Sequence, residues 1–323
     1  MSGIYIHIPF CKQACHYCNF HFSTSLRYKN ELINALLKEV EIYSLDPFPF
    51  KTQSLPAENK TGFGLVETIY MGGGTPSLLD TNEIRLILEK IHHSFDVARD
   101  AEITLEANPD DIDQIKLAGW KEAGINRLSI GVQSFFAEDL QWMNRAHDAV
   151  QAARSLELAV RQFANITIDL IYGTPDMTNA KWKENVDRAI GFGIPHLSCY
   201  ALTVEPKTPL EKRIRHLQSK DVNPDVQSEQ FTLLMEWMEQ AGYEHYEISN
   251  FAKPGYRSRH NSSYWSGKTY IGLGPSAHSF DGDNRWWNVA NNNLYIDSIQ
   301  KSILPSEAEI LTPTQKMNEA IMV

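Results

Sequence analysis

Short runs of apolar and β-branched residues recur along the chain as far as residue 203. They predict strands at 4–8, 67–71, 101–107, 127–131, 166–173 and 197–203. Between these runs, apolar residues recur at helical spacing, as in the series Leu32, Leu36, Val40 and Tyr43. Strands that alternate with helices predict a parallel sheet, because parallel neighbours are joined by crossover connections. Six such units predict an α/β fold, an incomplete (β/α)6 TIM-like barrel.

The alternation of strands and helices stops after about residue 243, and the chain then becomes rich in aromatic residues, Asn and Gly. We therefore predict a barrel over residues 1–243 and a mixed α+β C-terminal module over residues 244–323. In a barrel of this kind, reactive side chains gather on the loops that follow the C-terminal ends of the strands. Those loops are where functional residues are expected.

Forty acidic residues outweigh thirty basic ones, which gives a formal net charge of −10. This charge opposes non-specific binding to phosphate backbones and anionic lipid, so no nucleic-acid partner is expected. No apolar run approaches the ~18 residues of a spanning helix, which predicts no stable membrane insertion. The chain has four cysteines, three of them clustered, and this differs from the dispersed set of a secreted disulfide scaffold. The composition predicts a cytoplasmic protein.

The three clustered cysteines, Cys11, Cys15 and Cys18, form a C-x3-C-x2-C motif directly after the first predicted strand. Thiolates are soft ligands that suit iron–sulfur clusters and zinc. Three thiolates on a [4Fe–4S] cluster would leave one iron open to a small molecule. A structural zinc site would need a fourth ligand, which His16 or His21 could supply. An unligated, reduced trio is the third alternative.

Polar residues and glycines mark the ends of the next strands. The stretch YMGGGTPS at 70–77 places three glycines after a strand, where backbone can approach a ligand closely, and no lysine follows to make it a P-loop. Glu106, Gln133, Arg145 and Asp169 lie at or beyond the ends of the following strands. Each residue alone is more often a surface or capping group. Together they could hold a ligand with amino, carboxylate and ribose groups.

Seven motifs carry a resemblance to a known family: YIHIPFCKQACHYCNF, GGGTPS, LEANPD, RLSIGVQSF, DLIYGTP, YALTVEPKTP and YEHYEISNFA. The chain resembles radical S-adenosylmethionine (SAM) proteins, and within them the oxygen-independent coproporphyrinogen III oxidase-like group. The resemblance implies a [4Fe–4S] cluster on Cys11, Cys15 and Cys18, with SAM on the fourth iron. It assigns no catalytic residue. The SAM contacts that it implies are Tyr5, Tyr17, Gly73, Gly74, Thr75, Glu106, Gln133, Arg145, Asp169 and Ala201.

Two branches of this group differ at positions visible in the chain. The dehydrogenase branch carries an extra cysteine two residues after the third, and a long N-terminal extension. This chain has Phe20 at that position and only ten residues before Cys11. Both features resemble the haem chaperone branch, HemW, whose H-N-x-x-Y-W element is present as His260, Asn261, Tyr264 and Trp265.

The chaperone branch implies haem as cargo, haem-accepting proteins as partners and an electron donor for the cluster. Haem iron accepts an axial imidazole, and a porphyrin packs well on aromatic rings, so His260 is a candidate haem ligand. The alternative is a histidine that satisfies buried hydrogen bonds beneath an aromatic lid. Relatives continue past Val323 into a small helical module, so residues 244–323 are expected to be truncated relative to them.

Two other functions stay open on the sequence. One is oxidative decarboxylation of porphyrinogen propionates with SAM, against which Phe20 and the short N-terminus argue. The other is a zinc-stabilised binding protein without radical chemistry. Whether the molecule is a monomer or a homodimer is equally open.

Overall fold

The computed structural model describes residues 2–50 and 63–321. Six parallel strands pair in sequence order, and the first and sixth are not paired with each other, so the barrel is open. The predicted incomplete (β/α)6 barrel is therefore confirmed. The strands are β1 (Ser2–Ile8), β2 (Val66–Gly73), β3 (Val97–Ala107), β4 (Arg127–Gln133), β5 (Asn165–Tyr172) and β6 (His196–Ala201).

Helices cover the outer face of this sheet. The helical series predicted for the first of them is correct, because Leu32, Leu36, Val40 and Tyr43 are all buried. No helix within residues 2–50 and 63–321 is both long and apolar enough to cross a membrane. The helices of the barrel are α1 (Lys29–Leu45), α2 (Thr81–Ser94), α3 (Gln114–Glu122), α4 (Ala137–Trp142), α5 (Ala149–Ala159), α6 (Asn179–Gly191), α7 (Pro209–Arg215) and α8 (Pro224–Gln240).

The C-terminal part extends the same sheet at both edges. One added strand lies antiparallel to β6, and another lies parallel to β1. The division at residue 243 stays a prediction, since the sheet is continuous across it. The elements are β7 (Glu244–His245), β8 (Asn250–Ala252), α9 (Arg259–Trp265), β9 (Thr269–Leu273), β10 (His278–Phe280), β11 (Asn284–Asn288), α10 (Asn292–Gln300), β12 (Ser306–Ile310) and α11 (Pro313–Ile321).

A buried carboxylate on α1 joins the C-terminal part to the barrel. Glu39 accepts hydrogen bonds from the Tyr295 hydroxyl (2.5 Å), the Gly274 amide (2.7 Å) and the Asn288 side-chain amide (2.6 Å). Burial raises the pKa of Glu39 to about 7. Because a buried carboxyl group needs partners for both oxygens, this cluster fixes α1 against β11 and α10.

Candidate functional site

The three cysteines lie on a loop that leaves β1 and closes on itself. The Cys11 amide donates to the Ser23 carbonyl (3.0 Å), and the Ser23 amide donates to the Pro9 carbonyl (2.7 Å). This pairing holds residues 11–22, here called the cysteine loop, at the carboxyl end of the barrel strands. Burial raises the pKa of Cys11 to about 11 and also raises that of Cys18. Both are therefore thiols in the free protein, and ligation of a metal would release their protons.

A cavity of about 510 Å³ opens above the strand ends. All three cysteines lie on its wall, and so do nine of the ten residues proposed to contact SAM; the exception is Tyr5. The predicted residues on the wall are Cys11, Cys15, Tyr17, Cys18, Gly73, Gly74, Thr75, Glu106, Gln133, Arg145, Asp169 and Ala201.

Residues 72–75, here called the glycine loop, pack tightly against the residues that lead into the cysteine loop. The Gly74 amide donates to the carbonyl of Ile8 (2.8 Å), and a Cβ at Gly74 would lie 2.7 Å from the Phe10 carbonyl oxygen. Gly73 has a φ of +106°, a conformation that glycine adopts without strain. The Thr75 hydroxyl donates to the Cys11 sulfur at 3.6 Å. The sequence therefore needs glycine here for close backbone contact.

Two half-buried carboxyl groups, those of Glu106 and Asp169, face the cavity. Glu106 accepts from the Tyr70 hydroxyl (2.8 Å) and the Gly73 amide (3.1 Å). Burial, and then the charge of Asp169, raise the pKa of Glu106 to about 7. Burial raises the pKa of Asp169 to about 6. The charge of Asp169 disfavours ionisation of Glu106, and a cation bound beside them would relieve that repulsion, so this wall suits a positively charged ligand.

Arg145 connects the cysteine loop with the ends of β3 and β4. Its guanidinium donates to Asn108 Oδ1 (2.7 Å) and the Gly131 carbonyl (2.9 Å), and Nη1 lies 3.4 Å from the Cys15 sulfur. Its buried Nε has no hydrogen-bond partner within the described residues. Gln133 has a φ of +67°, a strained conformation for a residue with a side chain.

Tyr5 lies behind the cavity wall. Its ring stacks on Tyr70 with centroids 6.3 Å apart, and its hydroxyl donates to His7 Nδ1 at 3.2 Å. The neutral His7 ring donates through Nε2 to the His21 carbonyl (2.9 Å), and burial lowers its pKa to about 4. The position that a Cβ on Gly73 would take is 2.6 Å from this ring. His7 therefore supports both loops.

Sequence reasoning missed three kinds of contributor to the site. His7 comes two residues after Tyr5 in β1, so both side chains lie on the same face of the strand. This spacing could have indicated that His7 points into the barrel as Tyr5 does. Asn108 stands two residues beyond Glu106 in the LEANPD motif, where strand-end reasoning could have found it. Gly131 contributes its carbonyl, for which no side-chain pattern gives a signal.

His260 lies at the opposite end of the barrel from the cysteines. It is 1% exposed, its Nδ1 is hydrogen-bonded to the Thr68 hydroxyl (2.8 Å), and its Nε2 to the Tyr264 hydroxyl (2.9 Å). The amides of Arg259 and His260 donate to the Glu102 carboxylate at 3.2 and 3.1 Å. Helix α9 thus closes the N-terminal end of the barrel, while Tyr264 and Trp265 remain 40% and 45% exposed.

The two histidines of the cysteine loop have other partners. His16 Nδ1 lies 2.8 Å from the Trp142 carbonyl, and His21 Nε2 donates to Asn292 Oδ1 at 2.7 Å. Among the residues that the structure describes, no three His, Cys, Asp or Glu side chains are grouped to hold a single metal ion. Both histidines are therefore engaged by groups other than the cysteines.

Comparison with known proteins assigns the class. The family model for the radical SAM superfamily matches residues 5–189. The solved structure of Escherichia coli coproporphyrinogen III oxidase, HemN, superimposes on this chain with a TM-score of 0.81 and 24% sequence identity. The alignment covers 99% of this chain and 74% of the HemN chain. That likeness describes the fold alone. Fold and family model together define a radical SAM protein, a class that implies a [4Fe–4S] cluster and SAM.

Relatives at higher identity define the branch. The haem chaperone HemW of Mycobacterium tuberculosis is 35% identical over 308 residues, which cover 94% of this chain and 75% of the relative. HemW of Bacillus subtilis is 36% identical over 312 residues, covering 94% and 78%. HemW of Escherichia coli is 37% identical over 287 residues, covering 85% and 69%. The chain belongs to the HemW family of the radical SAM superfamily.

Proposed function

We propose that this protein is a haem chaperone that binds a [4Fe–4S] cluster, SAM and haem, and delivers haem to acceptor proteins. The cluster is assigned to Cys11, Cys15 and Cys18, and SAM to the adjoining cavity. The haem role is taken from the name of the HemW relatives. All four cysteines are unpaired, which suits a reducing compartment, so we assign the function to the cytoplasm.

One observation carries the assignment of the two cofactors: the three cysteines share a single cavity with nine of the ten proposed SAM contacts. These residues come from the ends of six strands that are far apart in sequence. A structural thiol cluster would not need beside it two carboxyl groups with raised pKa values and an arginine whose Nε has no partner within the described residues. The coincidence of soft ligands, carboxylates and a guanidinium supports a cluster next to a zwitterionic cationic ligand.

Each charged side chain has a distinct proposed role in holding SAM. Glu106 and Asp169 offer acceptors for an ammonium group and for ribose hydroxyls. Arg145, whose Nη1 lies 3.4 Å from the Cys15 sulfur, brings a positive charge to the cysteines and to a carboxylate of the ligand. Held in this way, a reduced cluster would be able to supply one electron to the sulfonium of SAM, which would cleave the C5′–S bond to give methionine and a 5′-deoxyadenosyl radical. The walls of the cavity would hold the two cofactors next to each other and limit the access of water.

Haem contact is proposed at the H-N-x-x-Y-W element. The half-exposed rings of Tyr264 and Trp265 offer aromatic surface to a porphyrin face. His260 can ligate the iron only if Nε2 gives up its hydrogen bond to Tyr264. Burial lowers the pKa of His260 to about 3, so the ring is neutral at physiological pH, as a ligand must be.

Substitution of His260 by alanine tests this ligand directly. We expect His260→Ala to lower haem affinity and to change the Soret spectrum. A matched control is His196→Ala, because His196 is equally buried and is hydrogen-bonded to the hydroxyls of Thr167 and Tyr246 at 2.5 and 2.7 Å. If both variants lost haem binding, the loss would be due to unfolding at the N-terminal end of the barrel and not to removal of a ligand. Unchanged binding in His260→Ala would exclude it as the ligand.

Anaerobic assays test the function as a whole. The reconstituted protein is expected to show a brown iron–sulfur chromophore, to bind haem and to transfer it to a haem-free acceptor. With coproporphyrinogen III, SAM and a reductant, we expect no protoporphyrinogen. Turnover in that assay would assign the protein as a dehydrogenase instead. A colourless protein with stoichiometric zinc would support the zinc-stabilised alternative.

A further inference from the structure

A cluster of basic residues lies on and around α7. Residues 207–220 carry five lysines and arginines and a single acidic residue, Glu211, although the whole chain has a net charge of −10. The segment is therefore strongly basic on an acidic protein. We call its five cations the basic patch: Lys207, Lys212, Arg213, Arg215 and Lys220.

The basic patch is attached directly to the cysteine loop. The Leu210 amide donates to the His16 carbonyl (2.8 Å), and Arg213 Nη1 lies 2.9 Å from His16 Nδ1. His16 stands between Cys15 and Cys18 in the sequence. Helix α7 therefore rests on the backbone that carries two of the proposed cluster ligands.

A small apolar core fixes α7 in this place. It is separate from the main core and contains Met143, Ile171, Leu202 and Leu210, with Tyr17 of the cysteine loop packed against it. Because packed side chains resist displacement, the helix holds a constant position relative to the cysteines. A molecule that binds the patch would be held beside the cluster.

The patch is available for a protein partner. Lys207 and Lys212 are exposed and form no ion pair within the described residues, whereas Arg215 pairs with Glu211 and Lys220 pairs with Asp176. Leu217 lies among these cations and is 93% exposed. A protein partner could cover Leu217 together with the neighbouring cations, whereas a small anion would contact the cations alone.

We propose that the basic patch docks an acidic one-electron carrier protein that reduces the [4Fe–4S] cluster. The proposal rests on the proposed function, since it requires a cluster at the three cysteines. One electron leaves the carrier, which is oxidised by one equivalent, and the cluster gains it. Charge complementarity would direct the carrier to the basic patch. The rest of this protein's surface is acidic and would repel an acidic carrier.

Electrostatic steering gives the proposal a measurable consequence. Complementary charge raises association rates by about 10- to 1,000-fold at low ionic strength, and salt removes the effect. Reduction of the cluster by an acidic carrier is therefore expected to slow as salt is added. Reduction by a small uncharged reductant is expected to depend much less on salt.

The test compares two triple variants of equal charge. One carries Lys207→Glu, Lys212→Glu and Lys220→Glu in the basic patch. The control carries Arg99→Glu, Arg154→Glu and Arg161→Glu, all exposed and lying away from the cysteine loop. Each reconstituted protein is mixed with reduced acidic flavodoxin, and bleaching near 400 nm is followed by stopped flow. Photoreduced deazaflavin serves as the small reductant.

At low salt, we expect the reaction of the patch variant with flavodoxin to be at least about tenfold slower than that of the control variant. Both are expected to react alike with deazaflavin, and iron content and circular dichroism check that both are folded and loaded. Equal rates with flavodoxin would overturn the docking site while leaving the cluster assignment intact. Should even the unmodified protein assemble no reducible cluster, the proposed function and the docking site both fail.

Discussion

Gly74→Ala is expected to lose SAM binding almost completely and to retain little cluster. The new Cβ would lie 2.7 Å from the Phe10 carbonyl oxygen and 2.8 Å from the Ile8 carbonyl oxygen. Both are backbone atoms at the end of β1, directly before Cys11, so no side-chain rotation relieves the contact. Overpacking of this kind usually costs about 1–3 kcal/mol. Here the strain is relieved only by separating the glycine loop from the cysteine loop.

A second glycine provides a matched control for this effect. Gly191 ends α6, and a Cβ added there meets nothing within 4 Å. Gly191→Ala is expected to bind iron and SAM as the unmodified protein does. The measurements are iron and sulfide content after anaerobic reconstitution, and SAM affinity by calorimetry. Normal SAM affinity in Gly74→Ala would show that the two loops move independently and that the proposed site is wrong.

The fold was predictable because the barrel strands are continuous apolar runs that alternate with amphipathic helices. The strand predicted at 127–131 is observed as Arg127–Gln133, and the one predicted at 197–203 as His196–Ala201. The two extra residues of β4 end at Gln133, where the backbone is left-handed. Such endpoints depend on contacts between distant segments, which local periodicity does not encode.

The site was predictable to the extent that its residues follow strand ends. Cys11, Glu106 and Asp169 come together because all parallel strands end at one edge of the sheet. The position of His260 was not predictable in this way. Its helix lies between β8, which pairs with β6, and β9, which pairs with β1. The helix lies across the N-terminal end of the barrel only because β8 and β9 pair with strands at opposite edges of the barrel sheet.

Glu106→Gln is expected to weaken SAM binding roughly a hundredfold, or about 3 kcal/mol, because it removes a carboxylate that would pair with the cationic ligand in a partly enclosed site. Glu39→Gln is the matched control. Glu39 is buried and its pKa is likewise raised to about 7, but its partners lie in the C-terminal part of the chain. That variant is expected to be less stable and yet to bind SAM normally.

The same carboxyl groups predict the direction of the pH dependence. The pKa of Glu106 is about 7 and that of Asp169 about 6, so both lose their protons as the pH rises from 6 to 8. Cationic SAM binds the ionised forms, and its affinity is therefore expected to rise over this range, with release of protons. In Glu106→Gln the rise is expected to be smaller. Calorimetry in two buffers of different ionisation enthalpy measures the protons released.

Stability of the ligand-free protein is expected to change in the opposite direction. A carboxyl group whose pKa is raised in the folded state binds its proton more tightly there than in the unfolded chain. The free energy of unfolding then falls as the pH rises from about 4.5, the ordinary value for Glu106, through about 7. Glu106→Gln removes that part of the slope, and SAM is expected to restore stability most at high pH. A steeper fall in the variant, or SAM affinity that declines above pH 7, would contradict a cation-binding role for Glu106.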